Sequence, residues 1–91
     1  MKFLNVQEYL LFLQLKGFHL KEDVKGFIFY GQHLTNSSDA LVILAIEATL
    51  KAQKRFDGSL FISILEELEI NKIKSVSVAK KVLSQKLNIT L

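Results

Sequence analysis

Residues 39–56 read DALVILAIEATLKAQKRF, and this stretch contains the longest uninterrupted apolar run of the chain, Ala40–Ile46. Its apolar residues recur at helical spacing, which predicts the longest helix of the protein, from about Asp39 to Phe56. The main apolar stripe of that helix comprises Leu41, Leu44, Ala45, Ala48 and Ala52. Because its alanines let neighbouring helices approach closely, we predict that this helix is the central helix of a bundle.

Two further helices are predicted on the N-terminal side of this stretch. The first begins after Asn5, whose side chain can cap free backbone N–H groups while Glu8 completes a capping box, and it ends at Gly17 in a left-handed conformation. The second runs from about His19 to Leu34, again by apolar spacing. Residues 26–31 leave an alternative open, since FIFY between two glycines also has the composition of a β-strand. The helical spacing favours the helix.

Two more helices are predicted on the C-terminal side. Residues 57–59 end the central helix, and Ser59 is expected to cap a fourth helix. A connector over residues 71–77 then leads to a last helix from about Ser77 to Leu87. The sequence therefore predicts an all-α fold in which residues 1–91 form a single helical domain, a compact bundle of four to five short helices that is oligomeric, most simply a homodimer.

The composition bounds the class of protein. The chain has 91 residues and no cysteine, so disulfides and thiolate metal ligands are excluded and a reducing compartment is favoured. The apolar runs are far shorter than the roughly 20 residues that cross a bilayer. Asn5, Gln7 and Glu8 interrupt the N-terminal apolar stretch that a secretory signal would need. We therefore expect a cytoplasmic protein without a membrane span.

Hydrophobic residues make up 49% of the chain, which is more than a domain of this length readily hides in its own interior. The first helix is apolar nearly all round, and aromatic residues, which are favoured interface anchors, are frequent along the chain. We therefore predict a protein partner or self-association through an apolar helical surface. The candidate interface residues are Tyr9, Phe12, Leu13, Phe27 and Tyr30.

Charged residues are unevenly distributed. Residues 70–91 contain five lysines and no acid, whereas residues 22–69 contain eight acids and four bases. A lysine-rich face can contact nucleic-acid phosphates, so the alternative function is a DNA- or RNA-binding regulator that uses residues 70–91. Its candidate residues are Lys72, Lys74, Lys80, Lys81, Gln85 and Lys86.

Two features weaken that alternative. The predicted connector between the last two helices exceeds the 3–4 residues of a helix-turn-helix motif. Glu66, Glu67 and Glu69, at the end of the fourth helix, would repel phosphates. A simpler account is that these acids pair with lysines of the next segment.

No residue pattern predicts catalysis or a bound metal. His19 with Glu22 and Asp23 comes closest to a metal-binding cluster, but so small a match arises easily by chance. The serines at 37–38 lie near His33 in the sequence, yet they belong to a helix cap. The sequence thus predicts a non-enzymatic interaction module, such as an adaptor, inhibitor or regulator, with no cofactor and no small-molecule substrate.

Overall fold

The computed structural model describes residues 3–91, which form five α-helices and no β-strand. The helices are α1 (Val6–Leu15), α2 (Glu22–Thr35), α3 (Asp39–Gln53), α4 (Gly58–Ile70) and α5 (Val76–Leu87). The prediction of an all-α fold is confirmed. The central position of α3 is confirmed as well, because α3 packs against each of the other four helices, while α2 also packs against α4.

α3 occupies the centre because almost its whole circumference is apolar. Every residue from Leu41 to Ile46 is buried, and Ala45 and Ala48 expose no surface at all, so the neighbouring helices approach its backbone closely. Thr49 is also fully buried, and its hydroxyl donates to the carbonyl of Ala45 at 2.8 Å, which leaves no unpaired polar group. Side chains from the other helices complete the core: Val6, Tyr9, Leu10, Leu13, Ile28, Phe61, Ile64, Leu65, Leu68, Ala79 and Leu83.

Residues 26–31 are helical, so the helix is confirmed over the strand alternative. Ile28 and Gly31 of this segment are buried, whereas a strand would have alternated the two faces residue by residue. α2 begins at Glu22 and not at His19, because Lys21 is extended and Glu22 and Asp23 occupy the first turn, where the helix dipole favours acids.

The ends of α1 follow the sequence closely. The Asn5 side chain accepts a hydrogen bond from the backbone N–H of Glu8 at 2.8 Å, as predicted, and the Glu8 carboxylate accepts one from Leu4 N–H at 3.1 Å. Gly17 has a φ of +95°, and Phe18 N–H donates to the carbonyl of Leu13 at 2.9 Å. This geometry is a Schellman motif, so the predicted left-handed end at Gly17 is confirmed.

Three other predicted boundaries are wrong by one to three residues, since a different neighbour supplies the cap. α4 is capped not by Ser59 but by Asp57, which accepts from the N–H groups of residues 59 and 60 at 3.0 and 3.2 Å. Ser75 caps α5 by accepting from Val78 N–H at 3.3 Å, which shortens the connector to Asn71–Ser75. α3 ends at Gln53 because Lys54 adopts a left-handed φ of 65°.

One carboxylate fixes the relative positions of the first three helices. Asp39, at the start of α3, accepts from Val6 N–H at the start of α1 at 3.2 Å. Its other oxygen accepts from the Gln32 amide near the end of α2 at 2.6 Å, and the same amide donates to Ser37 O at 3.2 Å. α1 and α2 are therefore both held against α3 from one end.

Candidate functional site

Exposed apolar side chains are concentrated in the N-terminal third of the protein. Among the described residues, eleven large hydrophobic side chains are exposed, and nine of them lie between Leu4 and Leu34. The nine are Leu4, Leu11, Phe12, Leu15, Phe18, Phe27, Phe29, Tyr30 and Leu34. The other two are Ile70 and Val78. The exposed apolar residues thus belong mainly to α1, α2 and the segment between them, and Leu4 precedes α1.

A groove separates α1 from α2. Both helices pack against α3 but make little contact with each other, and a space of about 700 Å³ remains between them. Leu10 and Leu11 line it from α1 and Phe29 from α2, while Gly26 contributes bare backbone. Polar side chains complete the lining: Asn5, Gln7, Glu8, Gln14, Glu22 and Lys25. The groove is therefore lined by both apolar and polar side chains, as protein interfaces are.

We call the group Leu11, Leu15, Gly26, Phe29 and Tyr30 the α1–α2 surface. Leu15 follows Leu11 by one helical turn and is 78% exposed, while Tyr30 follows Gly26 by one turn and is 58% exposed. The side chains of Leu11, Leu15, Phe29 and Tyr30 are exposed to water. A protein that covered them would bury apolar area, which favours association.

The predicted interface residues divide into two groups. Tyr9 and Leu13 are buried in the core at 6% and 4% exposure, so the chain itself already uses their apolar surface. Phe12, Phe27 and Tyr30 are exposed, with Phe12 stacked against Tyr9 at 6.0 Å between ring centroids. Tyr9 and Leu13 are therefore not part of the candidate surface.

Sequence reasoning missed Leu11, Leu15 and Phe29. The available signal was the continuous apolar character of α1, which has no polar face and yet cannot be buried on every side of a five-helix protein of this size. The periodicity does not say which side of α1 faces outward.

The burial of Tyr9 can be tested through the pH dependence of protein stability. Burial raises the pKa of Tyr9 to about 12, and the negative charge of Glu47 adds to the rise. Tyrosine in the unfolded chain ionises at about pH 10, so the unfolded state releases its proton first as the pH increases. We expect the free energy of unfolding to be unaffected by this group below pH 10 and to fall by about 1 kcal/mol per pH unit between 10 and 12.

Thermal unfolding of wild type and Tyr9→Phe at several pH values checks this expectation. Tyr9→Phe should lose less stability above pH 10, whereas Tyr30→Phe, the matched change at an exposed tyrosine, should behave as wild type. Parallel pH curves for wild type and Tyr9→Phe would show that Tyr9 is not buried.

The candidate nucleic-acid residues are all exposed, but they differ in their partners. Lys86 of α5 forms an ion pair with Glu67 of α4, so the predicted pairing of the α4 acids with following lysines is confirmed for this glutamate. Lys72 lies in a left-handed turn with a φ of 56°. Within residues 3–91, no salt bridge involves Lys72, Lys74, Lys80 or Lys81.

α4 and α5 do not form a helix-turn-helix pair. Five residues, Asn71–Ser75, connect them, and the two helices make little contact with each other. α5 packs mainly against α3, whereas α4 packs against both α2 and α3. Such a motif instead requires two helices that pack together across a turn of 3–4 residues.

The described residues contain no group of three or more side chains arranged to hold a metal ion, and His19, Glu22 and Asp23 do not form one. Ser38 acts as a cap, accepting from Leu41 N–H at 3.2 Å. None of the helices in residues 3–91 combines the length and hydropathy that crossing a membrane requires.

The fold and the α1–α2 surface define a small five-helix protein with an unpartnered apolar face. The chain belongs to the family of unknown function DUF6123, whose model matches residues 1–89. No match was found among curated proteins. No solved structure matches either.

Proposed function

We propose that this protein is a small, non-enzymatic protein–protein interaction module, acting in the cytoplasm as an adaptor, inhibitor or regulator. The observation that carries the proposal is the concentration of nine of the eleven exposed large apolar side chains between Leu4 and Leu34. Scattered exposed hydrophobic residues are normal on a monomer, but so many in one part of the chain, with Leu11 and Phe29 lining a groove, favour a binding surface.

The chemistry of the α1–α2 surface suits a protein partner. Phe29 and Tyr30 are rigid aromatic side chains that bury a large apolar area with little loss of conformational entropy. Glu22 and Lys25, which line the groove, form an ion pair of 3.6 Å and supply polar contacts for a partner. An apolar helix or loop of a partner is the ligand class that such a groove accommodates.

Site-specific photo-crosslinking in cells tests the proposal. A benzophenone side chain at Leu15 or Phe29 is expected to give covalent adducts of defined mass, whereas the same group at Gln85, exposed on α5, is the matched control. The captured protein is then identified by mass spectrometry and purified. Leu11→Gln should weaken its binding at least tenfold, because a buried leucine contributes about 1.5–3 kcal/mol.

Adducts from Leu15 or Phe29 to another protein or to a second copy, with binding lost in Leu11→Gln, would support the proposal. It is contradicted if these two positions give no adduct, or if only Gln85 does.

A second candidate function rests on the lysines of residues 70–91. Lys72, Lys74, Lys80 and Lys81 are exposed and take part in no salt bridge among the described residues, so their charge is available to phosphates. A DNA- or RNA-binding regulator would bind a random-sequence duplex tightly at about 50 mM salt and weakly at about 200 mM salt, which fluorescence anisotropy measures directly.

A further inference from the structure

No contact among residues 3–91 explains why position 26 is a glycine. It lies inside α2, where glycine destabilises a helix relative to alanine, and its φ is not positive. A Cβ built at this position meets nothing within 4 Å, whereas at Gly31 on the same helix it would meet Ile62 and Phe61. Gly31 is required by packing inside the chain, but Gly26 faces open space.

On the surface of α2, the missing side chain of Gly26 leaves a gap, and the exposed side chain of Tyr30 projects beside it. Phe29 and Tyr30 follow it by three and four residues and therefore lie beside it on the helix surface, 42% and 58% exposed. Asp23 and His33 continue the same face at either end of α2, and both are exposed. The positions 23, 26, 30 and 33 have the alternating spacing of three and four residues that forms the contact line of paired helices.

We propose that this face of α2 is the interface with a second copy of the chain, in which the two α2 helices pack antiparallel and Tyr30 of each copy lies over Gly26 of the other. The proposal rests on the proposed function and names its partner. The dimer explains why position 26 is a glycine, since only a glycine leaves room for a tyrosine against the helix backbone.

Polar complementarity selects the antiparallel arrangement. The pairing of Gly26 with Tyr30 of the second copy places Asp23 opposite His33 in the last turn of α2, whose imidazole can donate a hydrogen bond to the carboxylate. A parallel arrangement would instead place Glu22 and Asp23 of one copy against the same acids of the other, which repel. Gly26 and Tyr30 lie on the same surface of α2. Tyr30 of each copy can therefore fill the gap at Gly26 of the other, which gives a closed, two-fold dimer.

Sedimentation equilibrium measures the association. Wild type is expected to show a concentration-dependent dimer, and Gly26→Ala should raise its dissociation constant roughly tenfold or more, because the added methyl group meets Tyr30 of the second copy. Under dilute conditions the same variant should unfold a few degrees above wild type, because alanine favours the helix. A Gly26→Ala variant that dimerises as wild type does would overturn the proposal.

Because the chain has no cysteine, single-cysteine variants report the register directly. A short bifunctional maleimide should link Asp23→Cys to His33→Cys when the two variants are mixed. It should link neither variant to itself, since equal positions lie about 15 Å apart along an antiparallel pair. Gln85→Cys serves as the control for random collision.

The crosslinking and sedimentation results test the antiparallel dimer separately from the proposed function. Linkage of Asp23→Cys to itself would show a parallel pair and overturn this arrangement. A monomer at all concentrations, with photo-adducts from Leu15 or Phe29 only to another protein, would overturn the dimer while leaving the proposed function supported.

Discussion

Replacing Phe61 with alanine is expected to lower the free energy of unfolding by about 3–5 kcal/mol, the range typical of a fully buried phenylalanine. Phe61 has no exposed surface, and its ring lies 5.4 Å from that of Phe56 and 6.3 Å from that of Phe27. It also fills the space beside Gly31, where α2 and α4 meet. Removing the Phe61 ring would therefore leave a cavity between α2 and α4.

Urea unfolding followed by circular dichroism measures this loss. The total stability of a domain of this size is about 5–14 kcal/mol, so the variant should unfold at a much lower urea concentration. Phe29→Ala is the matched control, because Phe29 is 42% exposed and should cost about 1 kcal/mol. A larger loss for Phe29→Ala than for Phe61→Ala would contradict the packing described here.

Replacing Gly31 with valine is expected to destabilise the protein by about 3 kcal/mol through overpacking. A Cβ at this position would lie 2.8 Å from Ile62 Cδ1 and 3.0 Å from Phe61 Cε2. The end of the Ile62 side chain can move away, but the Phe61 ring is enclosed by the core and cannot. α2 and α4 would have to separate to admit the new side chain.

The same substitution at Gly26 is the control for this prediction. Both glycines lie in α2, but a Cβ at Gly26 meets nothing within 4 Å, so Gly26→Val should change the stability of the monomer by less than about 0.5 kcal/mol. Chemical unfolding at low protein concentration compares the two variants without a contribution from association. Equal losses for both would show that the α2–α4 contact is not close at Gly31.

Local signals in the sequence predict much of the fold because they act over one or two helical turns. The Asn5 cap, the left-handed Gly17 and the start of α3 at Asp39 all depend on neighbours within a few residues, and the structure confirms each. Among the boundaries that differ, those at Asp57 and Ser75 arose where another possible capping residue lies two positions further along the chain.

The candidate surface was less predictable because α1 is apolar nearly all round. Tyr9 and Leu13 have the composition of interface residues and yet face α3, whereas Leu11 and Leu15 on the same helix face outward. The hydrogen bond from Val6 N–H to Asp39 anchors the start of α1 on α3, and that contact spans 33 positions along the chain. No local pattern in α1 contains this information.

The sequence by itself determined an all-helical chain with a central α3, because helical periodicity, caps and an excess of apolar residues are properties of short segments. Only the tertiary structure decided which apolar residues are core and which form the α1–α2 surface. The choice depends on how α1 and α2 lie against α3. That arrangement, together with the packing of α2 against α4, is set by contacts between residues far apart in the sequence, among them Asp39 with Val6 and Gly31 with Phe61.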